Sequence, residues 1–448
     1  MRSSKWKIVC KTVIFVLLLL LIQEGFAFML TPAKVYTRLM LHGMYEQETM
    51  DLVFAGASHT YRSFDPDVFD EELGVSSYNL GSSSQTMKDS YYVLKEMFRS
   101  HTPKRVVLES GYARFLEPDS NSLKSMILTD YFRWSINRVD YFFNTYALSD
   151  YPDALFPAIR YKNNLDTETV KKTVKEKLTA GYMSHSDNSI QHKNEWYGGK
   201  GFVYSNLAFG EGHIGKLDFQ VWDTDAASTE MMEYFEKIVL LCKEQGSELI
   251  LITAPIPLAT LAQMGNYDEA HNHIQQLADR NGLDYYDFNL MRPQVLQRND
   301  GTHYYDSGHM NGMFAEEFSA VAATLLSELD SGSVVMDDWF YPSCDALLEE
   351  LNTVTHVWLA AEETDGVLRL TAKSSHGKNV TPEYCFVWKK ADEDEFKVLQ
   401  PYDIKAETAL ALEKGQKNVI RVLARPEGAD EAFIQYDELT YTVKGNGK

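Results

Sequence analysis

The chain has 448 residues, 44% of them hydrophobic and 24% charged, with 43 Lys and Arg against 64 Asp and Glu and a formal net charge of −21 at pH 7. That length allows two or three domains, and the composition is that of a chain able to bury a sizeable core. The acidic excess excludes a general polyanion-binding surface, so nucleic acid is not an expected partner.

The N-terminus carries Arg2, Lys5 and Lys7 ahead of the apolar run "TVIFVLLLLLI" over 12–22. A basic region followed by an apolar one is the pattern of an export signal. Because "EGFAF" makes a poor cleavage site, an uncleaved signal anchor over 1–30 is preferred to a cleaved peptide. The positive end then stays in the cytoplasm, giving a single-pass protein of the cytoplasmic membrane with the bulk of the chain outside. Residues 52–59 read as a strand, "SSYNLGSSS" as a short strand ending on Gly81, and 86–101 as an amphipathic helix. "KRVVLES" (104–110) is a buried strand. After a long interruption come a helix at 228–246, the apolar strand "SELILITAP" (247–255), the helix "NYDEAHNHIQQLADRNG", the strand "LDYYDFN" and a helix at 312–329.

Strands alternating with helices predict an α/β fold, a three-layer parallel-sheet domain over 31–332. The interruption, about 115–225, is too long for a loop and reads as an insertion with at least one helix, "TETVKKTVKEKLTAGY". Its Tyr and Phe residues are assigned to packing. From 345 to 446, short alternating runs such as "THVWLAAE", "GVLRLTAKS", "EYCFVWKK" and "NVIRVLAR" predict an all-β sandwich.

Ser58, in "GASH" at the end of the first strand, sits where ligand crevices open in such sheets. A serine hydroxyl needs a neighbouring base to attack at neutral pH. Asp306-Ser307-Gly308-His309 supplies a D-x-x-H spacing, in which the carboxylate can reach Nδ1 of the imidazole and fix its tautomer. The catalytic candidates are therefore Ser58, Asp306 and His309. The backbone N–H groups of Ser58 and Gly81 are the expected oxyanion donors, with Asn79 as an added side-chain donor. His59 is expected to point away from Ser58 as a structural residue, and Glu109 and Asp89 to be solvated or capping charges. His271 and His273 fall two apart on a helix and do not share a face, so no metal or other cofactor is expected. Cys10, Cys242, Cys344 and Cys385 form no metal-type cluster and read as unpaired.

Gly56-Ala57-Ser58-His59, Asn79-Leu80-Gly81 and Asp306-x-x-His309 together resemble the SGNH/GDSL hydrolase superfamily. With the N-terminal anchor, "MYEQETMDLVFAGASH" and "LFPAIRYKN…KGFVYSN", the chain is similar to the membrane-anchored branch related to DltD and the alginate O-acetylation proteins. The resemblance spans roughly residues 10–330. It implies a Ser58 nucleophile, an Asp306–His309 pair and a Gly81 oxyanion donor. It also implies a serine acyltransferase or esterase acting on a cell-envelope polysaccharide or teichoic-type polymer beside a membrane-bound O-acyltransferase. The superfamily's third block offers an Asn; here that place reads "LESGYARF", leaving Tyr112 or Asn79 to substitute. The stretch from Pro382 to Arg425 resembles three-tyrosine, immunoglobulin-like modules. Two rivals stand beside this reading: a plain esterase or deacetylase using water, and a non-catalytic scaffold that binds envelope glycan or protein.

Overall fold

A computed structural model of the chain describes residues 2–116, 123–186, 194–208, 222–264, 266–298, 300–364, 367–411, 415–430 and 435–442. The N-terminal part runs α1 (Arg2–Leu30), α2 (Tyr36–Glu46), β1 (Leu52–Ala55), α3 (Ser58–Ser63), α4 (Pro66–Leu73), β2 (Ser77–Asn79), α5 (Met87–Met97) and β3 (Arg105–Glu109). An insertion follows, with α6 (Leu123–Tyr131), α7 (Ile136–Thr145), α8 (Tyr151–Leu155), α9 (Pro157–Arg160), α10 (Thr167–Lys177), α11 (Ala180–Met183) and the hairpin β4 (Glu195–Gly199) and β5 (Phe202–Ser205). The α/β pattern resumes with α12 (Thr229–Gln245), β6 (Glu248–Thr253), α13 (Leu258–Gln263), α14 (Tyr267–Asn281), β7 (Asp284–Asp287), α15 (Asp300–His303) and α16 (Gly312–Ser331).

Five parallel strands form the central sheet in the order β2-β1-β3-β6-β7. Successive strand side chains point to opposite faces, and here both faces are covered. Val53, Ala55, Val106, Leu108 and Leu251 pack under α2, α5, α12 and α14. Leu52, Phe54, Val107, Ile250 and Ile252 pack under α4 and α16. β1 is thus apolar at all four positions and β6 from Leu249 to Ile252, without alternation, which is why "LVFA" and "LILIT" are legible as buried strands. The result is the expected three-layer α/β domain.

Within the insertion, the helix foreseen at "TETVKKTVKEK" is α10; α8, α9 and α11, of four or five residues each, are too short to leave a readable period. The hairpin β4–β5 covers the open edge of β2, with the Asn79 N–H donating to the Lys200 carbonyl at 2.8 Å. Gly201, at φ +87°, makes this contact possible, since a Cβ there would lie 1.7 Å from the Asn79 carbonyl oxygen. The stretch Trp6–Leu30 of α1 is long and apolar enough to cross a membrane. Its last turns are held by the insertion: Asn164 Nδ2 donates to the Leu30 carbonyl at 2.9 Å and Lys177 Nζ to that of Phe28 at 2.8 Å.

After α16 come α17 (Met336–Trp339) and α18 (Cys344–Glu350), neither expected, and then seven antiparallel strands. These are β8 (Val354–Thr364), β9 (Val367–His376), β10 (Pro382–Lys390), β11 (Lys397–Asp403), β12 (Glu407–Ala411), β13 (Lys417–Pro426) and β14 (Gln435–Thr442). Sheets ordered β11-β10-β13-β14 and β12-β9-β8 enclose Val357, Leu370, Phe386, Ile420 and Val422, a β-sandwich. All four cysteines are free, and burial pushes the Cys344 thiol up to about 12.

Candidate active site

The chain leaves β1 at Ala55, earlier than the strand expected to run to 59, and reverses through Gly56 and Ala57 into α3. Gly56 sits at φ +148°; a Cβ there would meet Thr60 Oγ1 at 2.2 Å and Glu109 Cβ at 3.0 Å. This sharp exit puts Ser58 on the first turn of α3. It lies at the C-terminal edge of the sheet, where β1 is flanked by β2 and β3 and the strand order reverses.

The partner segment lies between α15 and α16. Tyr304 bridges Met310, the Tyr305 N–H donates to the His309 carbonyl at 3.1 Å, and Asn311 caps α16 through the Phe314 N–H. Asp306 Oδ1 accepts the N–H groups of Gly308 at 2.9 Å and His309 at 2.8 Å, closing the turn. The same carboxylate meets His309 Nδ1 at 2.9 and 2.8 Å. With the Nδ1 proton directed to Asp306, Nε2 is left as the acceptor, and it lies 2.7 Å from Ser58 Oγ. Two residues 251 positions apart are brought into hydrogen-bond contact.

The charges suit this geometry. Burial would raise the Asp306 carboxyl, but the hydrogen bond and charge of His309 and the two turn N–H groups outweigh it and bring it to about 2. His309 is held below the ordinary imidazole value, by burial first and by the neighbouring His59 and Arg62, against the opposing pull of Asp306. A neutral imidazole at neutral pH can take a proton.

Two expectations need correction. His59 does not point away: its ring stands edge-on to that of His309, with centroids 4.9 Å apart. Its Nδ1 faces Glu109 Oε1 at 3.8 Å, an ion-pair separation too long for a hydrogen bond. Glu109 is likewise not solvated. Its side chain is 1% exposed, and Oε1 accepts the Gly111 N–H at 3.0 Å. Burial alone would raise its carboxyl; His59, Arg114 and the Gly111 N–H hold it below the usual carboxylate range instead. Asp89 does cap, as the reciprocal partner of Thr86 in a capping box on α5.

The oxyanion donors also differ from expectation. Both amide hydrogens of Asn79 go to backbone carbonyls of the α3 segment, Thr60 and Phe64, at 2.8 Å each. Its Oδ1 accepts the Gly81 N–H at 2.9 Å. Asn79 therefore ties α3 to the end of β2 and has no proton left for a ligand, and the Gly81 N–H is already engaged. Tyr112 turns toward Trp222, with ring centroids 6.1 Å apart. The Ser58 N–H, first in its helix, has no intrahelical acceptor.

Sequence reading did not single out Arg62 or Tyr305. Arg62, one turn after Ser58 on α3, is buried, pairs with Glu195 of β4 at 2.5 Å and lies 4.5 Å from the Tyr305 ring centroid. Tyr305 stacks on His309 at 5.5 Å. Neither belongs to a motif, although Tyr305 adjoins Asp306. Among the described residues, no group of three or more His, Cys, Asp or Glu is placed to hold a metal ion. His271 instead bonds Asp287 at 2.9 Å and His273 packs against Trp222.

No family model and no curated relative matches the chain. Among solved structures it is similar to a protein named as an acylhydrolase from Bacteroides fragilis, with a TM-score of 0.30 at 11% identity over 65% of this chain and 94% of that one. A GDSL-like lipase from Bacteroides thetaiotaomicron gives 0.28 at 11% identity, over 63% and 88%. Likeness at this level is too slight to bear on function, which rests on the site's own geometry.

Proposed function

We propose that the protein is a membrane-anchored serine acyl enzyme working outside the cytoplasmic membrane. The observation that carries this reading is the continuous chain of contacts from Ser58 Oγ through His309 to Asp306, with distances of 2.7 and 2.8 Å. Ser58 Oγ attacks an ester carbonyl as its proton passes to His309 Nε2, and Asp306 stabilises the imidazolium. The tetrahedral oxyanion takes the Ser58 N–H. Its collapse expels an alcohol, which recovers the proton from Nε2 and leaves an acyl-Ser58 ester. A second hydroxyl then gives its proton to Nε2 and attacks the ester; collapse of this intermediate breaks the bond from Ser58 Oγ to the acyl carbon, Oγ takes the proton back from Nε2, and the acylated acceptor departs. The acceptor is a hydroxyl of a cell-envelope polysaccharide or teichoic-type polymer, with a membrane-bound O-acyltransferase as partner; with water as acceptor the same residues make an esterase.

The test is intact mass after exposure to a serine-reactive phosphonate. One adduct is expected on the wild type, none on Ser58→Ala and a much slowed one on His309→Ala. No adduct on the wild type under any condition would overturn the reading and leave a binding scaffold.

A further inference from the structure

An amphipathic helix on a water-soluble surface turns its apolar stripe inward; α7 does the reverse. The residues it buries are Asn137 and Tyr141. Asn137 Nδ2 donates to the Tyr92 carbonyl at 3.1 Å and to Glu96 Oε2 at 2.9 Å, and the Tyr141 hydroxyl donates to Asp89 Oδ1 at 2.5 Å. Ile136, Val139 and Phe143, spaced i, i+3, i+7, face outward, and Ile136 is 89% exposed. Trp134 just before the helix and Leu148 just after it are 81% and 80% exposed. The inner contacts tie Asn137 Nδ2 and the Tyr141 hydroxyl to α5, which fixes the direction in which the outward stripe faces.

The apolar surface continues toward α1. The Phe143 ring lies 6.2 Å from that of Tyr151 on α8, and Leu155, Phe156 and Ile159 of the α8–α9 turn are exposed. α9 and α10 in turn pack on the end of α1, held through the Leu30 and Phe28 carbonyls. The run Trp6–Leu30 has 25 residues, which at ~1.5 Å per residue spans roughly 37 Å, somewhat more than the ~30 Å hydrocarbon core of a bilayer. The insertion grips that run at its C-terminal limit, so an α1 that crosses a bilayer brings the insertion to the membrane surface. Arg133 and Arg138 flank Trp134 at the start of α7, the Arg138 guanidinium 4.2 Å from the Trp134 ring centroid. Exposed Trp and Phe beside basic side chains suit the interfacial layer of an anionic bilayer.

We propose that the outer face of α7 to α9 lies in the interfacial layer of the bilayer that α1 spans, with lipid as its occupant. This second membrane contact does not depend on the chemistry at Ser58. Unlike a single helix acting as a tether, it prevents the catalytic domain from swinging freely about α1.

The test uses the full chain with Cys10→Ser, the other three cysteines being buried. A single cysteine is introduced by Ile136→Cys, Phe143→Cys or, as reference, Val398→Cys at an exposed site on β11. Each protein is nitroxide-labelled and reconstituted in phosphatidylcholine–phosphatidylglycerol vesicles. Electron paramagnetic resonance then reads collisions with oxygen, which concentrates in hydrocarbon, and with a water-soluble nickel chelate. The oxygen-to-nickel ratio is expected to be several-fold higher at 136 and 143 than at 398. A ratio equal to that at 398 places the face in water and overturns the proposal. Low access to both reagents means that protein covers the face, and overturns it as well. Because both sites are exposed, matching thermal melts suffice to establish that the labelled chains are folded.

Discussion

Asp306→Asn separates the two tasks of one carboxylate. Oδ1 accepts the Gly308 and His309 N–H groups, and the Asn carbonyl oxygen can take over that role, so the turn survives. The amide nitrogen then replaces Oδ2, which lies 2.8 Å from His309 Nδ1. A donor at that point, set against the 2.9 Å contact that the Oδ1 position keeps with Nδ1, favours the tautomer protonated on Nε2, which cannot accept the Ser58 proton. The expected loss in reaction rate is roughly 10³- to 10⁴-fold, the scale for a triad held in the wrong tautomer. The fold should lose far less. A carboxyl brought from 3.8 to about 2 corresponds to roughly 2.5 kcal/mol. The Asp306 side chain is 38% exposed, and solvent screening reduces that figure to about 1 kcal/mol. By linkage this contribution is present above the unfolded carboxyl range and is lost as pH falls through about 2. The assay is the pseudo-first-order rate of phosphonate adduct formation, followed by intact mass with Ser58→Ala as background, alongside a urea melt at neutral pH. A variant that labels within threefold of wild type would refute the tautomer argument. So would a large loss of stability accompanying the loss of rate.

Two further outcomes follow from the surroundings of the site. Ser58 labelling requires neutral His309, so the rate should rise with pH through a value below 6.5 and level off above it; His59→Ala removes a neighbour that lowers the His309 value and should move that limb to higher pH. Rates measured from pH 4 to 8 check this, and a limb that stays put or moves down contradicts it. Gly201→Ala would drive a Cβ against the Asn79 carbonyl from a left-handed backbone, at an expected cost of about 2–4 kcal/mol. Because Asn79 holds α3 through Thr60 and Phe64, labelling should slow as well. An unchanged urea midpoint would count against the hairpin as a support of the site.

The central sheet was legible because its strands are buried on both faces, so runs such as "LILIT" stand out without reference to register, and because α12 and α14 end at Gly246 and Gly282. Ser58, Asp306 and His309 could be singled out by residue type and order along the chain. Their contact depends on how β1 and the turn before α16 face one another, which no local pattern encodes. Of the expected oxyanion donors, Asn79 and Gly81 failed for a physical reason: an Asn near a strand end can as well fasten backbone as bind a ligand, and only the Thr60 and Phe64 carbonyls and the Gly81 N–H decide between the two. The position of His59 turned on Glu109, whose burial at the end of β3 is invisible in "LESGYARF". The short strand β12, from "ETALA", has a composition that favours helix; its pairing with β9 overrides that propensity.

The contact between Ser58 and His309 has a consequence for biosynthesis. The nucleophile is made early and its base 251 residues later. At ~5–20 residues per second, the ribosome adds that stretch in roughly 13 to 50 s, and for that interval the serine is an ordinary hydroxyl. On the function proposed above, a reactive nucleophile exists only once the turn at 306–309 has docked on the nearly complete domain. On the same reading, a chain stalled or cleaved anywhere after α1 and before that turn would hold the apolar helix without an assembled site.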